Sequence, residues 1–289
     1  MHNYYDETVF FLINMERREF LKTTASAGLV MAGTEVFAAE KANRNGSNQM
    51  IIDCHFHIGR GERLSDAFQI DCSAERAIKL LDRAGIDRAI IFTVAYDDFR
   101  GPNREIAELA ANNKRFIGFA RLANTPNAGA QLEQAVRELG LRGLKVSNVP
   151  NRELMDKARE LKIPVLAHCG MGLAPILYEN VANSYPDVTL ILAHLGFDQS
   201  WGNMFAYPQQ ANYLARKYKN VYLDTSAATW IQYTLEQAVA EVGADKLIFG
   251  SDGPWFSPSI MLACLRELEL PERDMRKILY ENIAKILNI

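Results

Sequence analysis

Four of the five histidines in this 289-residue chain follow or close short apolar runs. His55 and His57 come just after I-I-D, His168 closes V-L-A-H, His194 closes I-L-A-H, and Asp252 stands behind I-F-G-S. Residues two apart in a strand share a side. His55 and His57 therefore project together, with Cys54 and Phe56 turned the other way. Imidazole nitrogen and carboxylate oxygen are donors for divalent ions, and zinc binds them at about 2.0–2.2 Å. Any one of these histidines alone reads as a hydrogen-bonded core residue. All four with a carboxylate at strand ends read as a site for one divalent ion, zinc ahead of manganese, since such a set accepts either. Three or four donors around an open position describe a catalytic rather than a structural site.

For that, the five residues must meet in space. Strands are predicted at Met50–Asp53, Arg88–Val94, Phe116–Leu122, Gly143–Ser147, Pro164–His168, Thr189–His194, Val221–Thr225 and Lys246–Ser251. Most are continuous apolar runs, as in strands buried on both faces of a parallel sheet. Between them the spacing predicts helices. Ser73 caps Ala74–Ala84 and Gly85 stops it. Others follow at Asn127–Leu139, Asn151–Leu161, Pro175–Ser184, Pro208–Tyr218, Thr229–Val242, Ser257–Leu268 and Pro271–Leu287. Eight strands alternating with helices over about 250 residues specify an α/β fold, a single (β/α)8 TIM barrel, with its active site at the C-terminal ends of the strands. No G-x-G-x-x-G follows the first strand, so an open dinucleotide-binding sheet has little support.

Three further residues carry two readings each. Arg60, in H-I-G-R-G-E-R, either pairs with a substrate carboxylate or is an exposed loop arginine. Trp255, three residues past Asp252, either lines the pocket or packs on the barrel rim. Asp53 either orients the first-strand ligands or is a turn residue.

The D-x-H-x-H of strand one, the single histidines of strands five and six and the aspartate of strand eight resemble the amidohydrolase superfamily. R-F-I-G-F-A-R-L at 115–122, G-L-K-V at 143–146, A-H-L-G at 193–196, F-G-S-D-G-P at 249–254 and E-N-I-A-K-I-L at 281–287 are similar to its amidohydrolase-related branch. That branch holds aminocarboxymuconate semialdehyde decarboxylase, resorcylate-type decarboxylases and pyrone-dicarboxylate lactonase. The resemblance implies that His55, His57 and His168 bind the metal, with Asp252 as a further ligand or a base. It implies that His194 is an acid–base group or a donor to a developing oxyanion. In binuclear members of the superfamily a lysine at the place of Lys145 is carboxylated and bridges two metals. In this branch one metal is commoner, and Lys145 then contacts substrate or its neighbours, or is a solvated rim residue.

The first functional reading is a hydrolase that activates a metal-bound water, with a pKa near 7, to cleave an ester, lactone or amide of a small organic acid. The alternative is a non-oxidative decarboxylase of a small aromatic or unsaturated acid at the same metal site. The third is an exported metal-binding barrel without catalysis, against which Asp252 beside His194 speaks. A homodimer is a family-based expectation.

The N-terminus reads as an address. E-R-R-E-F-L-K at 16–22 precedes a small-residue stretch, Thr23–Ala39, too short and too rich in Gly, Ser and Thr to span a membrane. Val36-Phe37-Ala38-Ala39 offers a cleavage site. Arg17-Arg18 with Phe20, Leu21 and Lys22 looks like a twin-arginine export signal. Residues 1–38, His2 among them, are thus expected to be a leader for the twin-arginine export machinery of a bacterium, with a periplasmic or other extracytoplasmic destination. Met15 would start that signal as naturally as Met1. Residues 39–49 read as a polar linker and 50–289 as the catalytic domain. With 32 Lys+Arg against 35 Asp+Glu and 48% hydrophobic residues, the chain is neither a disordered one nor a basic nucleic-acid binder. Cys54, Cys72, Cys169 and Cys264 form no C-x-x-C pair and are expected to be mostly free, buried thiols.

Overall fold

The computed structural model describes residues 49–60, 66–200, 202–228 and 233–289. The leader, all but the last residue of the linker and the start of the helix expected at 229 lie outside them. Among the described residues nine short strands follow in order: β1 (Ile52–Ile58), β2 (Arg88–Thr93), β3 (Phe116–Gly118), β4 (Ala120–Leu122), β5 (Leu144–Val146), β6 (Val165–Ala167), β7 (Leu190–Leu192), β8 (Val221–Asp224) and β9 (Leu247–Ile248). Every pairing is parallel and joins sequence neighbours, in the orders β1-β2-β3 and β4 to β9. β3 and β4 are one stave, broken at Phe119, whose amide still bonds the Ile91 carbonyl of β2. Eight staves result. The circle closes where the Cys54 amide donates to the Phe249 carbonyl at 2.9 Å and Phe56 bridges Gly253 in parallel. This is the expected (β/α)8 TIM barrel.

The strands are buried on both faces, which accounts for their apolar runs. An inner cluster that includes Ile52, Ile90, Phe92, Phe119 and Leu166 fills the barrel; a larger outer one packs the helices on it. The helices are α1 (Ala74–Ala84), α2 (Arg100–Asn112), α3 (Ala128–Arg137), α4 (Arg152–Leu161), α5 (Glu179–Ser184), α6 (Asn203–Lys217), α7 (Thr234–Val242), α8 (Pro258–Arg266), α9 (Glu272–Arg276) and α10 (Asn282–Leu287). In α1 the Ser73 hydroxyl accepts the Arg76 amide at 3.1 Å, and Gly85 leaves in the left-handed conformation at φ 68°. Among the described residues no helix is long and apolar enough to cross a membrane. Cys54, Cys72 and Cys169 are buried thiols, and Cys264 is a half-buried one.

Four elements depart from the sequence reading. Helix α2 lies in a segment given no helix above. Gly101-Pro102 reads as a breaker, yet Pro needs no amide partner in a first helical turn. Helix α6 runs from Asn203 through Pro208 instead of starting at it. Pro175–Tyr178 is a 3-10 turn leading into α5. The closing helix is interrupted by a π turn at Lys277–Glu281, where the Ile278 carbonyl accepts the Phe249 amide of the barrel at 2.9 Å.

The fifth departure concerns the first strand. β1 begins two residues later than predicted and runs to Ile58, so His55 and His57 lie inside it. Asp53 pairs with Ala89 but Phe56 with Ile91, so three steps on β1 match two on β2. The extra residue is a β-bulge. Cys54 therefore joins the inner cluster, not the helix side, while Phe56 packs outward as expected.

Candidate metal centre

β1 brings two imidazoles to one carboxylate. The Nε2 atoms of His55 and His57 lie 3.3 Å and 3.1 Å from Asp252 Oδ1. All three side chains are buried. Asp252 follows β9 in a left-handed turn at φ 61°, a conformation aspartate tolerates better than most residues. Its amide donates to the His55 carbonyl at 2.9 Å, so the two elements that carry the donors are bonded to each other. Asp53 sits beneath them. It accepts the His55 amide at 3.0 Å, the Ser251 amide at 2.9 Å and the Ser251 hydroxyl at 2.5 Å, tying β1 to the segment before Asp252.

The other face of His55 is fixed by a residue the sequence reading passed over. His55 Nδ1 lies 2.8 Å from Asp224 Oδ2. Asp224 Oδ1 accepts the amides of His194 at 3.0 Å and Ser226 at 2.9 Å, and also contacts the Ser226 hydroxyl. Ser226 Oγ lies 2.8 Å from His194 Nδ1 and 3.2 Å from His55 Nδ1. His194 Nε2 lies 3.2 Å from His168 Nδ1. Asp224 ends β8 as His168 and His194 follow β6 and β7, so the rule that selected the histidines would have selected it too.

Lys145 is buried on β5, with Nζ 3.4 Å from His55 Nε2 and 5.3 Å from the centre of the Phe92 ring. It is therefore not a solvated rim residue. Arg121 pairs with it across β4 and β5, donating to the Thr93 carbonyl and the Ser147 hydroxyl, each at 2.9 Å. A charged residue inside an apolar strand run was the available signal for both. Trp255 stacks on His57 with centroids 5.3 Å apart. Its indole Nε1 is sealed from solvent and has no acceptor among the described residues. Arg60 is exposed, joined to Tyr96 through its backbone, and does not enter the cluster.

Burial sets the charge states. It pushes the imidazoles of His55 and His194 well below their usual range, and that of His168 down to about 3, with the Lys145 cation adding to the effect on His55 and His168. All three are neutral near pH 7 and have a lone pair to give. Burial pushes Asp53 and Asp252 up to about 7 and Lys145 down to about 8. Since His55 Nδ1 carries the proton shared with Asp224, His55 Nε2 is bare. It faces a carboxylate oxygen, acceptor against acceptor, as His57 Nε2 can also do. Such a contact needs a cation or a proton between its members. The 3.1 Å and 3.3 Å separations match the edges of a tetrahedron around an ion bound at about 2.0–2.1 Å. Residues His55, His57 and Asp252 thus fit a divalent ion. His55, His194 and Asp224 are equally close together, but amides and the Ser226 hydroxyl already occupy that carboxylate. His168 stands outside both triplets and meets the cluster through His194.

The loops that carry His168 and His194 touch backbone to backbone. Met171 donates to the Phe197 carbonyl at 2.8 Å, and Gly170 has φ 84°. A Cβ on Gly170 would lie 2.0 Å from that carbonyl oxygen. Left-handed strain alone costs about 1–3 kcal/mol, and the clash adds to it. Gly170→Ala is expected to destabilise the protein by about 3 kcal/mol or more in urea unfolding; a change under about 0.5 kcal/mol would contradict this packing.

A closed α/β barrel with neutral imidazoles and a buried carboxylate gathered at its strand ends defines a class of barrel enzyme. The chain belongs to the amidohydrolase family, whose profile matches residues 52–289. It is 22% identical over 285 residues to a gamma-resorcylate decarboxylase of Polaromonas sp., covering 74% of this chain and 87% of that one. A 5-carboxyvanillate decarboxylase from Sphingomonas paucimobilis superposes with TM-score 0.66 at 14% identity, covering 84% of this chain and 100% of that one. A dihydroxybenzoic acid decarboxylase from Polaromonas sp., solved with bound manganese and the inhibitor 2-nitroresorcinol, gives TM-score 0.65 at 21% identity over 83% and 97% of the two chains.

Proposed function

We propose that this protein is a metal-dependent non-oxidative decarboxylase of a small aromatic or unsaturated acid. The observation that carries the proposal is the meeting of His55 Nε2, His57 Nε2 and Asp252 Oδ1 beside the buried Lys145 cation and the Phe92 ring. Cation and rings suit a flat anion, and the decarboxylases among the similar proteins act on such acids by name. They move decarboxylation ahead of the hydrolysis that the sequence alone put first.

His55, His57 and Asp252 would hold the ion, with His168 the further ligand that the resemblance implies. Bound there, a divalent ion would supply positive charge to hold substrate oxygens and to stabilise charge as it develops. Zinc and manganese both suit N and O donors, and the manganese-bound relative supports the second. Lys145 is positioned to pair with the substrate carboxylate, a role that Arg60 is too exposed to share. Asp252 would meet the ion through Oδ1, which faces both imidazoles, and leave Oδ2 to carry a proton to the ring carbon that loses CO2. In that step a carbon–carbon bond breaks and a carbon–hydrogen bond forms, with no oxidant and no water consumed.

Hydrolysis is the second reading. The same poised carboxyl can take a proton from water as readily as give one to carbon. The two are separated by incubating the metal-loaded protein with 2,6-dihydroxybenzoate and 5-carboxyvanillate and measuring CO2. Stoichiometric CO2 and the decarboxylated phenol are expected. Acid release from lactones, without CO2 from any aromatic acid, would favour hydrolysis instead.

Trp255 is proposed to donate its indole N–H to a substrate oxygen. Trp255→Phe keeps the ring on His57 but removes the donor. A hydrogen bond to a charged group is worth about 1.5–3 kcal/mol. KM is expected to rise at least about tenfold with kcat little changed, and an unchanged KM would remove this contact from the proposal. Export by the twin-arginine route rests on Arg17-Arg18 and the segment behind them. Fractionation of cells that carry the full chain or an Arg17→Lys/Arg18→Lys variant tests it, loss of extracytoplasmic protein in the variant being expected.

A further inference from the structure

Both ring nitrogens of His194 are engaged, which bears on the acid–base role implied for it by resemblance. The contact between Ser226 Oγ and Asp224 Oδ1 joins two oxygens, so a proton lies between them. Asp224 already accepts two amides and the His55 ring, the setting of an ionised carboxylate. The proton is then the serine's own. Once Ser226 has donated it, only lone pairs remain on Oγ for His194 Nδ1, 2.8 Å away. His194 must therefore carry its proton on Nδ1 and leave Nε2 bare. That bare nitrogen faces His168 Nδ1 at 3.2 Å, and one of the two must donate. His168 is consequently protonated on Nδ1, with its lone pair on Nε2.

We propose that Ser226 is a positioning residue that sets the tautomers of His194 and, through it, of His168. The relay runs His168 to His194 to Ser226 to Asp224, each group donating to the next. His55 donates into the same carboxylate, so Asp224 anchors the protonation pattern of both the first-stave donor His55 and the fifth-stave donor His168. The result is a pair of Nε2 lone pairs, on His55 and His168, in the form an ion requires. His194 then acts through His168 and is not a proton donor to substrate. The link to an ion rests on the metal-dependent reading above; the tautomer assignment does not. The left-handed conformation of His194, φ 63°, is part of the device. It turns the His194 amide to Asp224 Oδ1 at 3.0 Å while the ring reaches Ser226.

The test is a long-range nitrogen–proton correlation spectrum of the full chain, labelled in histidine and freed of metal by chelation. Resonances of the five histidines are assigned with single His→Gln variants. His194 and His168 are both expected to be protonated on Nδ1 and bare on Nε2. Protonation of either on Nε2 overturns the proposal. Ser226→Ala is expected to leave His194 exchanging between tautomers and to weaken manganese or zinc binding about ten- to a hundredfold, the usual cost of losing a group that orients a ligand. Ser226→Thr, which keeps the hydroxyl, is expected to restore both. Unchanged tautomers in Ser226→Ala would also overturn it. An absence of metal binding in the parent would instead strike the metal-dependent reading, since the tautomer spectra are recorded without metal.

Discussion

Replacing both first-strand histidines, as His55→Ala/His57→Ala, is expected to remove the bound ion and reduce turnover by roughly 10³-fold or more. A metal's electrostatic contribution to a transition state is several kcal/mol, and about 1.36 kcal/mol is a factor of ten in rate. Elemental analysis of the parent loaded with manganese or zinc is expected to give one ion per chain, and none for the variant. A second readout is thermal. An ion at about a hundred times its dissociation constant stabilises the native state by about 2.7 kcal/mol. The parent should show this as a metal-dependent rise in Tm, and the variant should not. The His55 ring also satisfies Asp224, so its loss leaves a buried carboxylate short of one donor. That costs stability by itself, on the order of 1–3 kcal/mol. The chelated parent is therefore the proper comparison: if the ion is the cause, it loses as much activity as the variant. Retention of metal and turnover by the variant would end the assignment of His55 and His57.

The barrel was legible because its strands are buried on both faces. Runs such as Arg88–Val94 and Val221–Thr225 have no other sensible place. Helix α1 was legible to the residue, since Ser73 and Gly85 are local chemical signals that tertiary contacts did not need to override. Helix α2 was not, because Gly101-Pro102 mimics a loop and its anchor is long-range. Asn103 exchanges two hydrogen bonds with the backbone of Arg121, at 2.9 Å and 3.0 Å. The π turn was hidden for the same reason, as its cause is an amide on β9's far side.

The site divides along a similar line. His55, His57 and Asp252 were legible as types at strand ends, where the barrel brings its residues together. The bulge was not, because one extra residue in β1 leaves the sidedness of His55 and His57 intact and changes that of Cys54 and of Ile52 before it. Ser226 escaped because a serine offers nothing distinctive to a reading that looks for ligands, whereas Asp224 stands at the end of β8 as the histidines stand at theirs and was open to the same rule. Their role appears only when donors and acceptors are counted around His55 and His194. Lys145 was noticed by resemblance, but its burial against Phe92 had to come from the structure, since a lysine in a three-residue strand can equally point to water.

Asp252→Asn is expected to lower kcat by about 10²–10⁴-fold while leaving the fold intact. That is the usual range for loss of a positioned acid–base group, and loss of a ligand would add to it. The substitution suits the backbone, because asparagine tolerates the left-handed turn at φ 61° at least as well as aspartate. Its effect on stability has a sign that distinguishes damage to the fold from damage to the chemistry. Burial raises the Asp252 carboxyl from 3.8 to about 7 in the folded chain. Across that window the native state holds a proton that the unfolded state has released, so Asp252 lowers stability as pH rises. The neutral amide has no such proton. Without metal at pH 8, Asp252→Asn should melt at or above the parent, whereas at about pH 3, below both values, where both parent states hold the proton, the advantage should vanish. With metal the order should reverse, since the ionised carboxylate gains a cation that the amide holds poorly. A variant less stable than the parent at pH 8 without metal would mean that Asp252 is already ionised and held by the positive charge of Lys145, which favours its ionised form. One that keeps full turnover would remove Asp252 from the reaction altogether.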